Sequence, residues 1–199
     1  MTQEILFYPD TAPVPAELKT TEFYIRPLRA SDVDLDYKAV METRDFLLTR
    51  TNGSWPRHGF TIEENLADLE AHEKGTSEKT EFTYTIMNPD ETRCLGCIYI
   101  NPLFKMLRRV LPVKDFESYP FENYEAHVSF WMISECVQQN MDKRLIQSLK
   151  KWFAEKWAFS KVILAFGLWL TDRDKEIITE QEEVLNIELK YQGWNLFIK

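Results

Sequence analysis

The sequence predicts an α/β (α+β) fold, a mixed and mostly antiparallel central sheet of about six or seven strands flanked by helices, in the order β-α-α-β-β-β-α-β-α-β-β. Three observations carry this expectation. Segments 81–87, 94–100 and 126–133 have strand lengths and strand composition, with turn chemistry at Asn88-Pro-Asp90, and read as an antiparallel meander. Residues 141–157 repeat Met141, Leu145, Leu149, Trp152, Phe153 and Trp157 on one helical face. The apolar run at 161–167 then follows a helical crossover, which places one parallel pairing in the sheet.

The elements follow in order. Residues 1–19 contain Pro9, Pro13 and Pro15 and little periodicity, so they read as an extended arm over the domain surface. Thr21 to Leu28 alternates, with Phe23 and Ile25 on one face, and Pro27 marks it as a first strand at a sheet edge. Ser31-Asp-Val-Asp34 has N-cap spacing and opens a helix over about 32–49. Thr61-Ile-Glu-Glu64 is a capping box, and Ile62, Leu66 and Leu69 give the second helix its stripe, ending before Gly75. After 167 a short helix starts near Asp172, and residues 185–198 read as a closing hairpin, with a helix continued through 190 as the competing reading. Residues 20–199 form one domain, interrupted by a long connection at 101–124. That connection is either a lid or dimer contact anchored by Phe104, Phe116, Tyr119 and Phe121, or an insertion packed over a sheet edge.

Composition bounds the function. The 199 residues are 44% hydrophobic and 14% aromatic, enough to bury a substantial core, and six Gly, nine Pro and 28% charged residues exclude collagen-like, low-complexity and fully disordered classes. The longest apolar run, 162–170, is far shorter than the about 20 residues of a membrane helix, and the N-terminus lacks a basic, apolar leader. No membrane association is expected, and a cytoplasmic location is. A net charge of −8 opposes attraction to nucleic acid. Cys94, Cys97 and Cys136 are too few for a disulfide framework, and residues three apart on a regular strand face opposite ways, so Cys94 and Cys97 read as core thiols. His58, His72 and His127 are scattered, and no metal motif is expected.

The opening Ile25-Arg-Pro-Leu-Arg-Ala-Ser-Asp32, the strand patterns Phe82-Thr-Tyr-Thr-Ile86, Leu95-Gly-Cys-Ile-Tyr-Ile100 and Val128-Ser-Phe-Trp-Met132, and the long helix after them resemble the GNAT superfamily of acyl-CoA-dependent N-acyltransferases over residues 20–199. The resemblance implies direct transfer of acetyl from acetyl-CoA to an amine of a small molecule or peptide, without a metal, and a homodimer is compatible with it. The family's phosphate-binding pattern, Gln or Arg, two residues, Gly, one residue, Gly or Ala, falls on 138–143, where Gln138 matches while Met141 and Lys143 replace the small residues.

Cofactor contacts are therefore assigned to the backbone around Trp131 and Ile133 and to Gln138, Gln139, Asn140, Met141, Asp142, Lys143 and Arg144. Backbone N–H groups and the dipole at a helix N-terminus favour a pyrophosphate there. Read without the resemblance, Asp142 is first-turn helix chemistry, and Lys143 and Arg144 are a solvated face. Amine transfer needs a base and a proton donor. Glu125 is the first choice for base, with His127 on the same strand face as its competitor. Tyr191 is the candidate acid, while Tyr99 serves as substrate contact or acid, and Trp55 contacts the acceptor. The alternative is a non-catalytic binding or structural protein of the same fold that has lost CoA binding.

Overall fold

The computed structural model describes residues 5–165 and 172–180. Six strands form one sheet whose spatial order follows the chain: β1 (Leu18–Lys19), β2 (Tyr24–Pro27), β3 (Phe82–Met87), β4 (Cys94–Pro102), β5 (Glu125–Met132) and β6 (Lys161–Leu164). Every neighbouring pair is antiparallel except β5 with β6, which is parallel. The helices are α1 (Val33–Glu42), α2 (Arg44–Arg50), α3 (Ile62–Ser77), α4 (Leu103–Val110), α5 (Val113–Ser118), α6 (Ser134–Gln138), α7 (Met141–Lys156) and α8 (Asp172–Glu180). No described helix is long and apolar enough to cross a membrane.

The two sheet faces differ in chemistry. Side chains of Ile25, Tyr84, Ile86, Ile98, Val128 and Met132 meet the apolar stripe of α7 in the main core, where the Trp152 ring stands edge-on to Tyr84 at 5.1 Å. The opposite face carries Thr83, Thr85, Cys97, Tyr99 and His127, and the polar groups of α1 and α3 answer it: Asp36 meets Cys97, and His72 meets Thr83. This polar face is where the candidate site lies.

Several expectations are corrected. The helix predicted over 32–49 is two helices broken at Thr43, a buried residue whose hydroxyl accepts the Ser134 N–H across the fold at 3.3 Å. The Ser31 cap does not form. Asp32 stands at the N-cap without a capping bond, because its carboxylate takes the Arg26 guanidinium at 2.7 and 3.2 Å. The Thr61 capping box forms as read, but α3 continues past Gly75 to Ser77. Gly75 permits close approach and does not end the helix: a Cβ there would lie 2.7 Å from Cγ of Glu81.

The N-terminal arm is also more than a surface strap. Its Leu18–Lys19 segment becomes β1, so β2 is not the edge strand, and Tyr8 is buried among Phe82, Trp157 and Phe159. Aromatic area of this size gains more from the core than from solvent. In the 101–124 connection, Leu103, Leu107 and Leu111 make a second small core with Ile163 of β6, flanked by Phe116, Tyr119 and Phe121. The start of the short helix at Asp172 agrees with α8, while the expected hairpin at 185–198 and the helix continued through 190 lie outside the described residues.

Candidate functional site

A cleft of about 350 Å³ opens on the polar face where β4 and β5 meet α2 and α3. Register places Tyr99 opposite Ser129 and Cys97 opposite Trp131, so Tyr99 and Trp131 project side by side, and the Trp131 Nε1–H donates to the Tyr99 hydroxyl at 3.2 Å. The loop after α2 supplies Trp55, held by its N–H donating to the Thr51 hydroxyl at 3.0 Å and its carbonyl accepting from that hydroxyl at 2.7 Å. Its ring lies against Phe60 and Trp131. Trp55, Tyr99 and Trp131, distant in sequence, are thus brought into one aromatic-walled space.

The polar groups of the cleft come from α3. Asp68 and His72 are one helical turn apart, which puts both on the cleft side of the helix. His72 Nδ1 lies 2.5 Å from Glu81 Oε1, and its Nε2 lies 3.9 Å from Asp68 Oδ1. Burial acts to lower the His72 pKa, but the Glu81 hydrogen bond and the charges of Asp68 and Glu81 outweigh it and hold the imidazole above its ordinary range. Burial, reinforced by nearby negative groups including Asp36, pushes the Tyr99 phenol well above its usual value, so it keeps its proton.

β6 pairs with β5 only over Glu125–Val128, and Ala165 N–H closes on the Val128 carbonyl at 2.8 Å. Among the described residues no strand pairs with that edge of β5 over Ser129–Met132. Opposite it stands α8, with Ile177 buried in the core and Asp174 accepting from Arg50 at 2.8 Å. A narrow space of about 20 Å³ under α8 shares Arg50, Phe130 and Trp131 with the cleft. Ile133 is fully buried, its N–H donating to the Leu95 carbonyl at 2.9 Å.

Gln138 ends α6, Gln139 follows it, and Asn140 turns the chain at φ +58° into α7. The Met141 side chain packs into the core. Asp142 is buried, its carboxylate accepting from Arg173 at 2.7 and 2.9 Å and from the Lys143 N–H at 2.9 Å. Lys143 pairs with Glu176 at 2.9 Å, and Arg144 binds Glu22 through two bonds of 2.6 and 2.7 Å and the Gln139 carbonyl at 2.8 Å.

Glu125 is placed elsewhere. It is buried beside Lys161, with which it is ion-paired, next to the Tyr119 ring that Lys161 also faces. Ser129 is four residues further on, about 13 Å along the strand, so Glu125 is not brought to the cleft. His127 is buried between the two, and burial lowers its pKa to about 4. Tyr191 lies outside the described residues. Sequence reasoning missed Asp68, His72, Glu81 and Arg173. The four-residue spacing of Asp68 and His72 within the capped helix was the available signal; Glu81 and Arg173 arrive from other elements and left none.

No family model and no curated protein sequence matches the chain. Solved structures do match. The chain is similar to microcin C7 self-immunity acetyltransferase MccE in complex with acetyl-CoA and AMP, at 11% identity and a TM-score of 0.63 over 96% of this chain and 99% of that one. It is similar to RimL, the ribosomal L7/L12 alpha-N-protein acetyltransferase in complex with coenzyme A, at 14% identity and 0.61 over 90% and 94%. It is also similar to a ribosomal-protein-S5-alanine acetyltransferase from Vibrio fischeri, at 13% identity and 0.61 over 83% and 81%. At these identities the likeness is one of fold.

Proposed function

From the GNAT acetyltransferase fold of this chain, we propose that the protein is an acyl-CoA-dependent N-acyltransferase that moves an acetyl group onto an amine of a small molecule or peptide by direct transfer. One observation carries the proposal: an aromatic cleft holding a Glu81–His72 pair opens beside Ser129–Met132 of β5, where the strand's β6-side edge has no strand partner among the described residues. The similar structures with bound CoA or acetyl-CoA support the donor, and those named for ribosomal-protein acetylation support a peptide amine among the acceptors. The three free thiols suit a reducing, cytoplasmic setting.

The residues at the start of α7 fit a CoA pyrophosphate in a modified way. Met141 turns its side chain into the core and away from the helix N-terminus. Asp142, the repulsive group, is neutralised by the two-bond contact of Arg173. Lys143 and Arg144 are paired with Glu176 and Glu22, which are half-exposed carboxylates; such surface pairs are weak, and a phosphate is a better partner for both cations. Side-chain cations thus take the place of a glycine cradle. When bound, acetyl-CoA supplies the thioester acyl group.

The chain's own residues supply the rest. The Glu81 carboxylate accepts from His72 Nδ1–H, which fixes the tautomer and leaves Nε2 to take the proton of the acceptor ammonium. Its pKa, raised above the ordinary value by the Glu81 bond and the nearby carboxylates, makes it a stronger base than free imidazole. Asp68 attracts the cationic amine, and Trp55 and Trp131 wall its apolar substituent. The Tyr99 hydroxyl keeps a proton beside the cleft, available to the leaving group. Activity rises with pH through the elevated His72 pKa and levels above it.

Calorimetric titration with acetyl-CoA tests the reading, with pantetheine lacking the pyrophosphate as control. Saturable binding that weakens about tenfold or more in Lys143→Ala and Arg144→Ala, and weakens with salt, supports it. The alternative, a binding protein of this fold without CoA chemistry, draws on the fact that Lys143, Arg144 and Arg173 are already paired with carboxylates. Absence of heat and of thermal stabilisation at millimolar acetyl-CoA selects it.

A further inference from the structure

Behind the cleft, a second group of side chains meets that the transfer reaction does not use. Cys94 and Cys97 stand three residues apart on β4, yet both face the helices. The reason is a bulge: Ile86 pairs with Gly96 while Met87 pairs with Cys94, leaving Leu95 unopposed, and the extra residue reverses the strand's alternation. The expectation that the two thiols point to opposite faces is therefore corrected. Gly96 permits the bulge, with φ +152° and a Cβ position only 2.0 Å from the Trp131 carbonyl oxygen.

Both thiols reach Asp36 of α1. Its Oδ1 accepts from Cys97 Sγ at 3.3 Å and from Cys94 Sγ at 3.9 Å, and its Oδ2 accepts from Asn65 Nδ2 of α3 at 2.9 Å. The three candidate ligand atoms lie within 4.8 Å of one another. Cys94 and Cys97 are 1% exposed, Asp36 3% and Asn65 0%.

We infer that Cys94, Cys97 and Asp36 form a zinc site, with the fourth position beside the Asn65 amide. Four independent features point there. Zinc bound to sulfur at about 2.3 Å and oxygen at about 2.0 Å in a tetrahedron separates S from O by about 3.5 Å, a value the two measured distances bracket. Asp36 has no Lys, Arg or His hydrogen-bonded to it among the described residues, His72 acting on it only through space, and a buried carboxylate with no directly bonded cation is costly. The Asn65 Oδ1 is buried with no hydrogen-bond partner, an atom that the metal or its bound water satisfies. Two sulfurs with one carboxylate suit zinc and not magnesium or calcium.

Binding balances simply. The two S–H groups release two protons to solvent, two Zn–S bonds form, and the carboxylate completes the protein ligands, for a net site charge of −1. The ion would tie α1 to β4 directly beneath Tyr99 and Trp131, since Cys97 pairs across the sheet with Trp131.

Cobalt(II) titration of the reduced, chelator-treated full-length protein tests the site. The expected result is one equivalent of Co2+ giving a sulfur-to-cobalt charge-transfer band and the intense visible bands of tetrahedral cobalt, both bleached by Zn2+. Cys94→Ser and Cys97→Ser lose the charge-transfer intensity, Asn65→Ala weakens binding about 10–100-fold, and Cys136→Ser changes nothing. The spectrum of the unmodified protein decides the matter even where a variant fails to fold. No charge-transfer band at excess Co2+, only the weak bands of octahedral cobalt, or a full spectrum retained by the Cys94→Ser/Cys97→Ser double variant overturns the site.

Discussion

His127→Gln separates a stability role from a catalytic one. His127 is 4% exposed on the polar face of β5, between Asn101 on one neighbouring strand and Ile163 on the other, and burial lowers its pKa from 6.5 to about 4. The unfolded chain takes up a proton as pH falls through 6.5, whereas the folded protein refuses it until about pH 4. Stability from the neutral imidazole is thus complete above pH 6.5 and is lost progressively as pH falls toward 4. The gap corresponds to about 3 kcal/mol, with a slope approaching about 1.4 kcal/mol per pH unit in mid-window. His72 acts in the opposite sense: its raised pKa contributes stability that is complete below the ordinary value of 6.5 and lost as pH rises, and because both proteins keep His72 their difference isolates His127. Urea unfolding at several pH values between 7.5 and 4.5 measures the effect. The natural protein should lose stability across the window, and His127→Gln should remove most of that loss while leaving acetyl transfer near its original rate. Parallel stability curves for the two proteins would refute the reasoning, because His127 would then accept its proton in the folded state at its ordinary pKa.

Other substitutions test the site and its frame. His72→Gln should lower the rate of transfer about 100- to 10,000-fold with little change in acetyl-CoA affinity, and Glu81→Gln should shift the pH–rate profile downward, both read from steady-state kinetics on an amine found by screening. Asp32→Asn leaves the buried Arg26 guanidinium with only the half-exposed Glu91 and should cost about 3 kcal/mol in urea unfolding, the lower end for a broken buried pair because one carboxylate remains. Gly96→Ala should cost about 3 kcal/mol or more by the same measurement, since the new methyl group meets the Trp131 carbonyl.

Much of the frame was readable locally. The Thr61 capping box, the stripe of α7 and the meander of β3, β4 and β5 rest on interactions between residues near in sequence or on a single period, so one sequence suffices to read them. Arg26 and Asp32 show the limit. Their spacing signalled a family resemblance, but that Asp32 leaves its helix cap to neutralise a buried guanidinium depends on where α1 enters against the sheet. Likewise, Trp55 and Tyr99 were readable one at a time as candidate acceptor contacts, while their convergence on Trp131 needed the register of β4 on β5.

The sequence by itself determined the meander of β3, β4 and β5, the capped start of α3 and the apolar stripe of α7, because these follow from chemistry within a few residues or from one period. Tertiary structure alone decided which polar groups meet: Glu81 with His72, Arg173 with Asp142, Glu125 with Lys161 rather than the cleft, and both thiols with Asp36. A single bulged residue reverses which face a side chain occupies, and partners contributed by distant elements depend on packing distances that no local period encodes.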